Sequence, residues 1–154
     1  MGRAEMSAPK GGLAGGAFLW PIRVYYEDTD AAGIVYYANY LKFAERARTE
    51  LIRALGDEHE ALQQQFGVAF VVSKCDMHCL SPARLDDCIE VRTTMNGLGA
   101  ATLDLQQNIW RDGDELVRFR VLLACINEAG RAVRIPTDVR RRLVAFRHEP
   151  IRNT

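Results

Sequence analysis

Residues 25–50 form the segment of this sequence best suited to chemistry. Asp28 and Asp30 stand in a short polar turn, and a helical pattern begins a few residues later. The free amide hydrogens at a helix N-terminus attract anions or developing negative charge. A carboxylate nearby can activate a water molecule or attack a carbonyl carbon directly. Together these groups supply what acyl transfer needs, which is a base or nucleophile and fixed donors for an oxyanion.

The same spacing has a plainer explanation. An Asp in a turn ahead of a helix most often caps that helix or closes an Asx-turn. The spacing by itself therefore leaves both the chemical and the structural role open for Asp28 and Asp30.

The elements that position this segment follow from periodicity. Residues 19–28 alternate like a strand. A long helix ending at Gly56 is predicted by apolar residues spaced i, i+3, i+4 and i+7, namely Tyr40, Phe43, Ala44, Ala47, Leu51 and Leu55. A second, short helix is expected over 57–66.

After Gly67 the apolar period changes to two. This pattern predicts strands over 68–79, 87–96, 101–111 and 115–127, a last strand near 132–135 and a short helix over 137–146. Asn96-Gly97 and Asp112-Gly113 are the expected turns. The strand 115–127 is apolar on both faces, which predicts an interior position in the sheet.

One long helix cannot cover both faces of a five- or six-stranded sheet. The predicted fold is therefore α+β and of the hot-dog type, with a curved antiparallel sheet of five to six strands wrapped around one long helix. The other face of the sheet, or an edge strand, would be left for a partner subunit.

Length and composition set the outer limits. The chain has 154 residues, with 48% hydrophobic and 26% charged residues and a formal net charge of zero. This balance argues against a nucleic-acid or membrane-surface binder. We expect a disordered N-terminal tail over 1–17, a single domain over 18–148 and a C-terminal tail over 149–154. The absence of a signal-peptide pattern and of a membrane-spanning apolar run predicts a cytoplasmic protein.

Two further groups of residues carry side chains that could do chemistry. Cys75, His78 and Cys79 could suggest a metal site, but residue 78 on a strand faces away from residues 75 and 79, so no metal is expected. Glu45 lies on the long helix, where charge pairs within ERARTE offer a surface explanation and a functional carboxylate is the alternative.

The segment DTDAAGIVYYANYLKFAERARTE resembles the signature of the 4-hydroxybenzoyl-CoA thioesterase family, and in particular its Tol-Pal-associated acyl-CoA thioesterase branch. The stretches WPIRVYYEDTDAAGIVYYANY, VAFVV and PARLDD also look like that branch. The similarity covers most of residues 19–146.

This resemblance implies an acyl-CoA thioesterase that acts on a small acyl- or aroyl-CoA without a cofactor. Asp30 would be the catalytic carboxylate, as general base or nucleophile, and the backbone amide of Tyr37 would polarise the thioester carbonyl. Asp28 would support the turn. The implied assembly is a homodimer or a dimer of dimers (a homotetramer), with acyl carrier protein as a further candidate partner. The implied substrate-binding residues are Gly33, Ile34, Val35 and Tyr36.

Two departures from the pattern bear on specificity. The Tol-Pal-associated branch often has His at the position of Tyr37, and residues 97–102 lack the basic cluster that contacts the CoA nucleotide in the 4-hydroxybenzoyl enzyme.

Two alternative functions share this fold. A hot-dog dehydratase or hydratase generally needs a His–acid pair, and no His lies near DTDAAG. The other alternative is a non-catalytic acyl-binding or scaffolding protein linked to acyl carrier protein or envelope assembly. The identity of the acyl group, and the choice between a covalent anhydride and direct water attack, stay open.

Overall fold

A six-stranded antiparallel sheet forms the centre of the computed structural model, which describes residues 11–56 and 59–148. The strands lie in the order β1-β2-β4-β5-β6-β3. This arrangement confirms the predicted α+β hot-dog fold. Along the chain the elements are β1 (Gly12–Ala14), β2 (Ala17–Arg23), a 3₁₀ turn (Tyr26–Asp28), α1 (Tyr37–Ala54), α2 (His59–Phe66), β3 (Val68–Cys79), β4 (Cys88–Leu98), β5 (Thr102–Arg111), β6 (Asp114–Asn127) and α3 (Thr137–Arg147).

The long helix α1 packs its predicted apolar stripe into the core. Tyr40, Phe43, Ala44, Ala47 and Leu51 are all buried. Burying a Leu or Phe side chain contributes about 1.5–3 kcal/mol, so this stripe anchors the helix. Gly56 follows the C-cap with a φ of 90°, a left-handed conformation that glycine adopts without strain and that ends the helix. Within the described residues, no helix combines the length and apolar character needed to cross a membrane.

Strand β6 lies between β5 and β3, which confirms its predicted interior position. Its inner face, Val117, Phe119, Val121, Leu123 and Cys125, is buried. Its outer face is apolar only at one end, because Leu122, Ala124 and Ile126 give way to exposed Arg118 and Arg120. The apolar surface open to a partner on that face is smaller than the sequence predicted.

The N-terminal boundary differs from the prediction that order begins near Phe18. Strand β1 pairs with β2, Gly12 lying opposite Leu19. Gly15 and Gly16 have φ values of 58° and 79° and join the two strands as a tight turn. The glycine-rich composition of this stretch therefore serves a hairpin. Residues 1–10 and 149–154 of the two predicted tails lie outside the described residues.

Three other predicted elements differ from the structure. The predicted strand 19–28 ends at Arg23. The next residue, Val24, contacts the loop of residues 82–87 and donates its amide hydrogen to the Asp87 carbonyl at 2.9 Å. The predicted turn at 96–97 was wrong, because both residues belong to β4 and make a bulge there. The predicted strand near 132–135 makes only an isolated bridge between Ala132 and Ile126. Of the predicted helix 57–66, α2 accounts for residues from 59 onward.

Candidate active site

Residues 30–34 form a tight turn that presents Asp30 next to the start of α1. The Asp30 amide donates to the Ile34 carbonyl at 2.9 Å, and the Gly33 amide donates to the Asp30 carbonyl at 3.0 Å. Thr29 and Val35, which flank this turn, pair as an antiparallel bridge. Gly33 has a φ of 76°, and a Cβ at this position would meet no protein atom within 4 Å. The backbone conformation, rather than a neighbouring group in the protein, therefore accounts for this glycine.

The Asp30 side chain is exposed and only partly occupied. Its Oδ1 accepts a hydrogen bond from the Ala32 amide at 2.9 Å, which is the Asx-turn that the plainer explanation anticipated. Its Oδ2 makes no hydrogen bond or ion pair with the part of the chain that the structure describes. One carboxylate oxygen thus holds the turn, while the other has no protein partner among the described residues.

The first turn of α1 is open at its N-terminus. Tyr36 is the N-cap and makes no side-chain capping hydrogen bond. The Asn39 amide donates to the Tyr36 carbonyl at 2.8 Å. The Tyr37 and Ala38 amides make no hydrogen bond with the described part of the chain. Such uncapped amides concentrate the positive end of the helix dipole. The helix begins at Tyr37, and Ala38 lies in its first turn.

The turn brings the two candidate groups into one part of the chain. The Asp30 amide pairs with the Ile34 carbonyl, and Tyr37 follows Ile34 by three residues as the first residue of α1.

The predicted substrate-binding residues are not all presented in the same way. Gly33 and Tyr36 are exposed, and Ile34 is half-buried. Val35 is 3% exposed and packs in the core, so its side chain is not offered to a ligand. The ring of Tyr37 is 58% exposed and lies against the ring of Tyr36, with centroids 5.0 Å apart. Together the two rings form an aromatic wall beside the turn.

The loop of residues 82–87 supports this turn from below, a role that sequence reasoning missed. The Val35 amide donates to the Ala83 carbonyl at 2.8 Å, and the Ala83 amide donates to the buried Tyr40 hydroxyl at 3.0 Å. Burial raises the pKa of Tyr40, which therefore keeps its proton. The loop itself is held by Asp87, which pairs with Arg111 at 2.8 Å. The stretch PARLDD stood out in the sequence only as part of the resemblance.

Asp28 also supports the turn of residues 30–34. It is the last residue of the 3₁₀ turn and contacts the start of α1. It is 5% exposed, and its Oδ1 accepts a hydrogen bond from Asn39 Nδ2 at 2.9 Å. We call Asp28 and Asn39 the junction pair. The sequence suggested a supporting role for Asp28 but assigned no role to Asn39.

A second buried polar group touches α1 halfway along. Gln107 donates to the Ala44 carbonyl and to Thr93 Oγ1, both at 3.0 Å, and accepts from Arg48 at 2.9 Å. We call Gln107, Thr93 and Arg48 the mid-helix cluster. Burial lowers the pKa of Arg48, which lies beside a cavity of about 260 Å³ that Glu45 also lines. Glu45 is therefore at the rim of a groove, apart from the turn that holds Asp30.

The two cysteines and the histidine of β3 do not converge. Cys75 lies opposite inward-facing Val121, whereas His78 lies opposite exposed Arg118, as strand alternation predicted. Among the described residues, no group of three or more His, Cys, Asp or Glu side chains could hold a metal ion.

These features are matched by a known family. Residues 24–143 match the thioesterase-like superfamily, so the chain belongs to that family and is a thioester hydrolase of the hot-dog fold. The expectation drawn from the resemblance is confirmed at this level.

Individual proteins similar to this chain are thioesterases by name. The acyl-CoA thioester hydrolase YbgC of Escherichia coli O6:H1 is 43% identical over 111 residues, which cover 71% of this chain and 82% of the relative. The acyl-CoA thioesterase YbgC of Haemophilus influenzae is 39% identical over 132 residues, covering 85% and 95%. A solved structure of a probable thioesterase from Bartonella henselae superposes with a TM-score of 0.74 at 34% identity, covering 77% of this chain and 98% of that one.

Proposed function

We propose that this protein hydrolyses the thioester of acyl-CoA substrates to the free acid and coenzyme A. The observation that carries the proposal is the exposed Asp30 carboxylate beside the uncapped first turn of α1. The substrate class is supported by the names of the relatives, two of which are acyl-CoA thioesterases at 39–43% identity.

In the proposed mechanism the thioester oxygen lies in front of the Tyr37 amide. The hydrogen bond and the positive end of the helix dipole stabilise the negative charge that develops on this oxygen. Asp30 then acts as general base or as nucleophile. As a base it takes a proton from water, which attacks the carbonyl carbon. As a nucleophile it forms an anhydride with the acyl group, and water hydrolyses that anhydride. The carbon–sulfur bond breaks in either case, and the thiolate of coenzyme A leaves and takes up a proton.

The acyl group and its thioester would lie over the turn. We propose that Gly33, Ile34 and Tyr36 line this site, with Val35 contributing only its backbone. The open space at Gly33 allows a substrate to approach the main chain closely. The aromatic wall of Tyr36 and Tyr37 can pack against either an aromatic or an aliphatic acyl group. Because coenzyme A esters are cytoplasmic metabolites, we propose that the reaction takes place in the cytoplasm.

We further propose a homodimer or a dimer of dimers that forms along β3. Strand β3 is 12 residues long and pairs only with β6 among the described strands, which leaves its other edge without a partner strand. Val71 and Val72 on this strand are 39% and 46% exposed. A long edge strand with exposed apolar side chains favours pairing with another chain, and a second copy offers a complementary edge.

Sedimentation of the protein and of Val72→Lys tests this assembly. We expect the wild type to be oligomeric at micromolar concentration and Val72→Lys to dissociate. Val144→Lys is the matched control, because Val144 is similarly exposed at 42% but lies on α3. A stable wild-type monomer, or equal dissociation of both variants, contradicts assembly along β3.

The activity is tested with a panel of aromatic, short aliphatic and long aliphatic acyl-CoA esters, with Asp30→Asn measured beside the wild type. We expect hydrolysis of at least one class and a loss of about 10²–10⁴-fold in Asp30→Asn, because the substitution keeps the shape of the side chain and removes its charge. An acyl group on acyl carrier protein forms a second arm of the panel. More than about a tenth of wild-type activity in Asp30→Asn would move the catalytic role to another residue.

A further inference from the structure

The Asp28 carboxylate is buried and makes no ion pair within the described residues. Its Oδ2 accepts from the Tyr25 amide and its Oδ1 from Asn39 Nδ2, both at 2.9 Å. Burial of a carboxylate is costly unless hydrogen bonds replace its water, so both of these contacts are needed to hold it in place.

Asp28 is joined to the start of α1 twice. Its carbonyl accepts from the Tyr36 amide at 2.9 Å, and its side chain accepts from Asn39, the third residue of the helix. Asn39 is itself 9% exposed. Asn has a low helix propensity, so its place in this first turn is better explained by the bond to Asp28 than by local preference.

The junction pair encloses both candidate catalytic groups. Asp28 precedes Asp30 by two residues, and Asn39 follows Tyr37 by two. A carboxylate at a helix N-terminus ordinarily accepts from the amides of the first turn and caps them. Here Asp28 accepts from the Asn39 side chain instead, and the Tyr37 and Ala38 amides stay open.

We infer that Asp28 and Asn39 are positioning residues for hydrolysis. Their hydrogen bond fixes the Asp30 turn against the Tyr37 amide, and it keeps the Asp28 carboxylate from capping that amide in place of the substrate oxygen. This inference rests on the proposed function. An error of about 1 Å in the placement of reacting groups can cost roughly 10²-fold in rate, so a pair that sets this distance should affect turnover more than binding.

An exchange of the two side chains tests the inference. Asn39→Asp places two carboxylates against each other, and we expect kcat to fall about 10–100-fold while KM changes less than about threefold. In the double variant Asp28→Asn with Asn39→Asp, the amide group at position 28 can accept from Tyr25 and donate to the carboxylate at position 39. We expect kcat to return to within about fivefold of wild type.

Asn39→Ala and Thr93→Val complete the series. Asn39→Ala removes the donor without adding a charge, and we expect a loss of kcat close to that of Asn39→Asp, which decides the matter if the latter does not fold. Thr93→Val breaks a comparably buried hydrogen bond in the mid-helix cluster. It should lower the thermal midpoint and leave kcat within about twofold.

The outcomes separate the inference from the proposed function. Full kcat in Asn39→Ala, or an exchange variant as slow as Asn39→Asp, overturns the positioning role while an inactive Asp30→Asn leaves the proposed function standing. An active Asp30→Asn moves the catalytic role to another residue, and failure of the wild type to hydrolyse any ester of the panel overturns the proposed function, whatever the junction pair does. A fall in kcat for Thr93→Val equal to that for Asn39→Ala would show that any buried polar loss has this effect, which also overturns the inference.

Discussion

The two buried polar clusters that touch α1 are both joined by side-chain hydrogen bonds, but they leave the helix in different states. In the mid-helix cluster, Gln107 uses its oxygen and its amide group on Arg48, Thr93 and the Ala44 carbonyl. Gln107 and Thr93 are fully buried there, and Arg48 is half-buried. At the junction pair the side chains are also hydrogen-bonded, yet the backbone amides beside them are open.

The difference shows how a helix end can be held firmly and still keep its amides open to a ligand. Capping by a side chain would satisfy the first-turn amides and close them to a ligand. The junction pair secures the same turn through a side-chain to side-chain bond and leaves the amides open. Fully satisfied polar networks in a core contribute to rigidity, whereas open donors at a helix end can serve binding. The following predictions test this contrast, from the largest expected effect to the smallest.

Tyr37→Pro should have the largest effect on turnover, with kcat lower by about 10²–10³-fold. Proline removes the amide hydrogen and is tolerated at the first helical position. Tyr36 already has an extended backbone, with φ −63° and ψ 125°, which suits a following proline. Steady-state kinetics checks the loss, and circular dichroism checks that the helix remains. Tyr37→Ala, which keeps the amide, is the control. Equal losses in the two variants would assign the effect to the ring.

Gln107→Leu should lower the free energy of unfolding by about 1–3 kcal/mol, because Thr93 and Arg48 each lose a buried partner. We expect kcat to stay within about twofold of wild type, since the mid-helix cluster lies apart from the turn that holds Asp30. Urea unfolding gives the stability. Gln106→Leu, on the opposite face of β5, is the matched control and should have a smaller effect. A large fall in kcat for Gln107→Leu would link the groove beside Arg48 to the reaction.

Deletion of residues 1–17 should cost about 1–2 kcal/mol of stability and leave kcat within a few-fold. The deletion removes β1 and its hydrogen bonds to β2, each worth about 0.5–1.5 kcal/mol net. Deletion of residues 1–10 leaves β1 intact and serves as the control. Thermal unfolding of the two truncations provides the comparison, and identical midpoints would mean that β1 contributes nothing.

Tyr37→Phe should have the smallest effect, with turnover within a few-fold of wild type. Its backbone amide is unchanged, and its hydroxyl has no assigned role in the mechanism. Tyr37→His should alter acyl preference or pH dependence more than the maximal rate. Kinetics across the acyl-CoA panel checks both variants. A loss of several hundred-fold in Tyr37→Phe would place the hydroxyl in the chemistry and contradict the backbone assignment.

Periodicity alone determined most of the scaffold. The apolar spacing of α1 and the alternation of β6 repeat over many residues, and each residue of the pattern reports the same burial. Spacing left Asp28 and Asp30 equally open, and only the resemblance to a family pointed to Asp30 and to the amide of Tyr37. The sequence misplaced the turn at 96–97 and the tail up to residue 17, because a short Gly-containing stretch is compatible with a turn, a bulge or a linker until its strand partner is known.

The polar contacts that hold the site were decided only in the tertiary structure. Asn39 meets Asp28 across 11 residues, and Gln107 meets Ala44 across 63. Neither contact repeats along the chain, so no pattern in the sequence announces it. A hydrogen bond depends on a distance of about 3 Å and on direction, and these are fixed only when the elements that carry the two groups have packed.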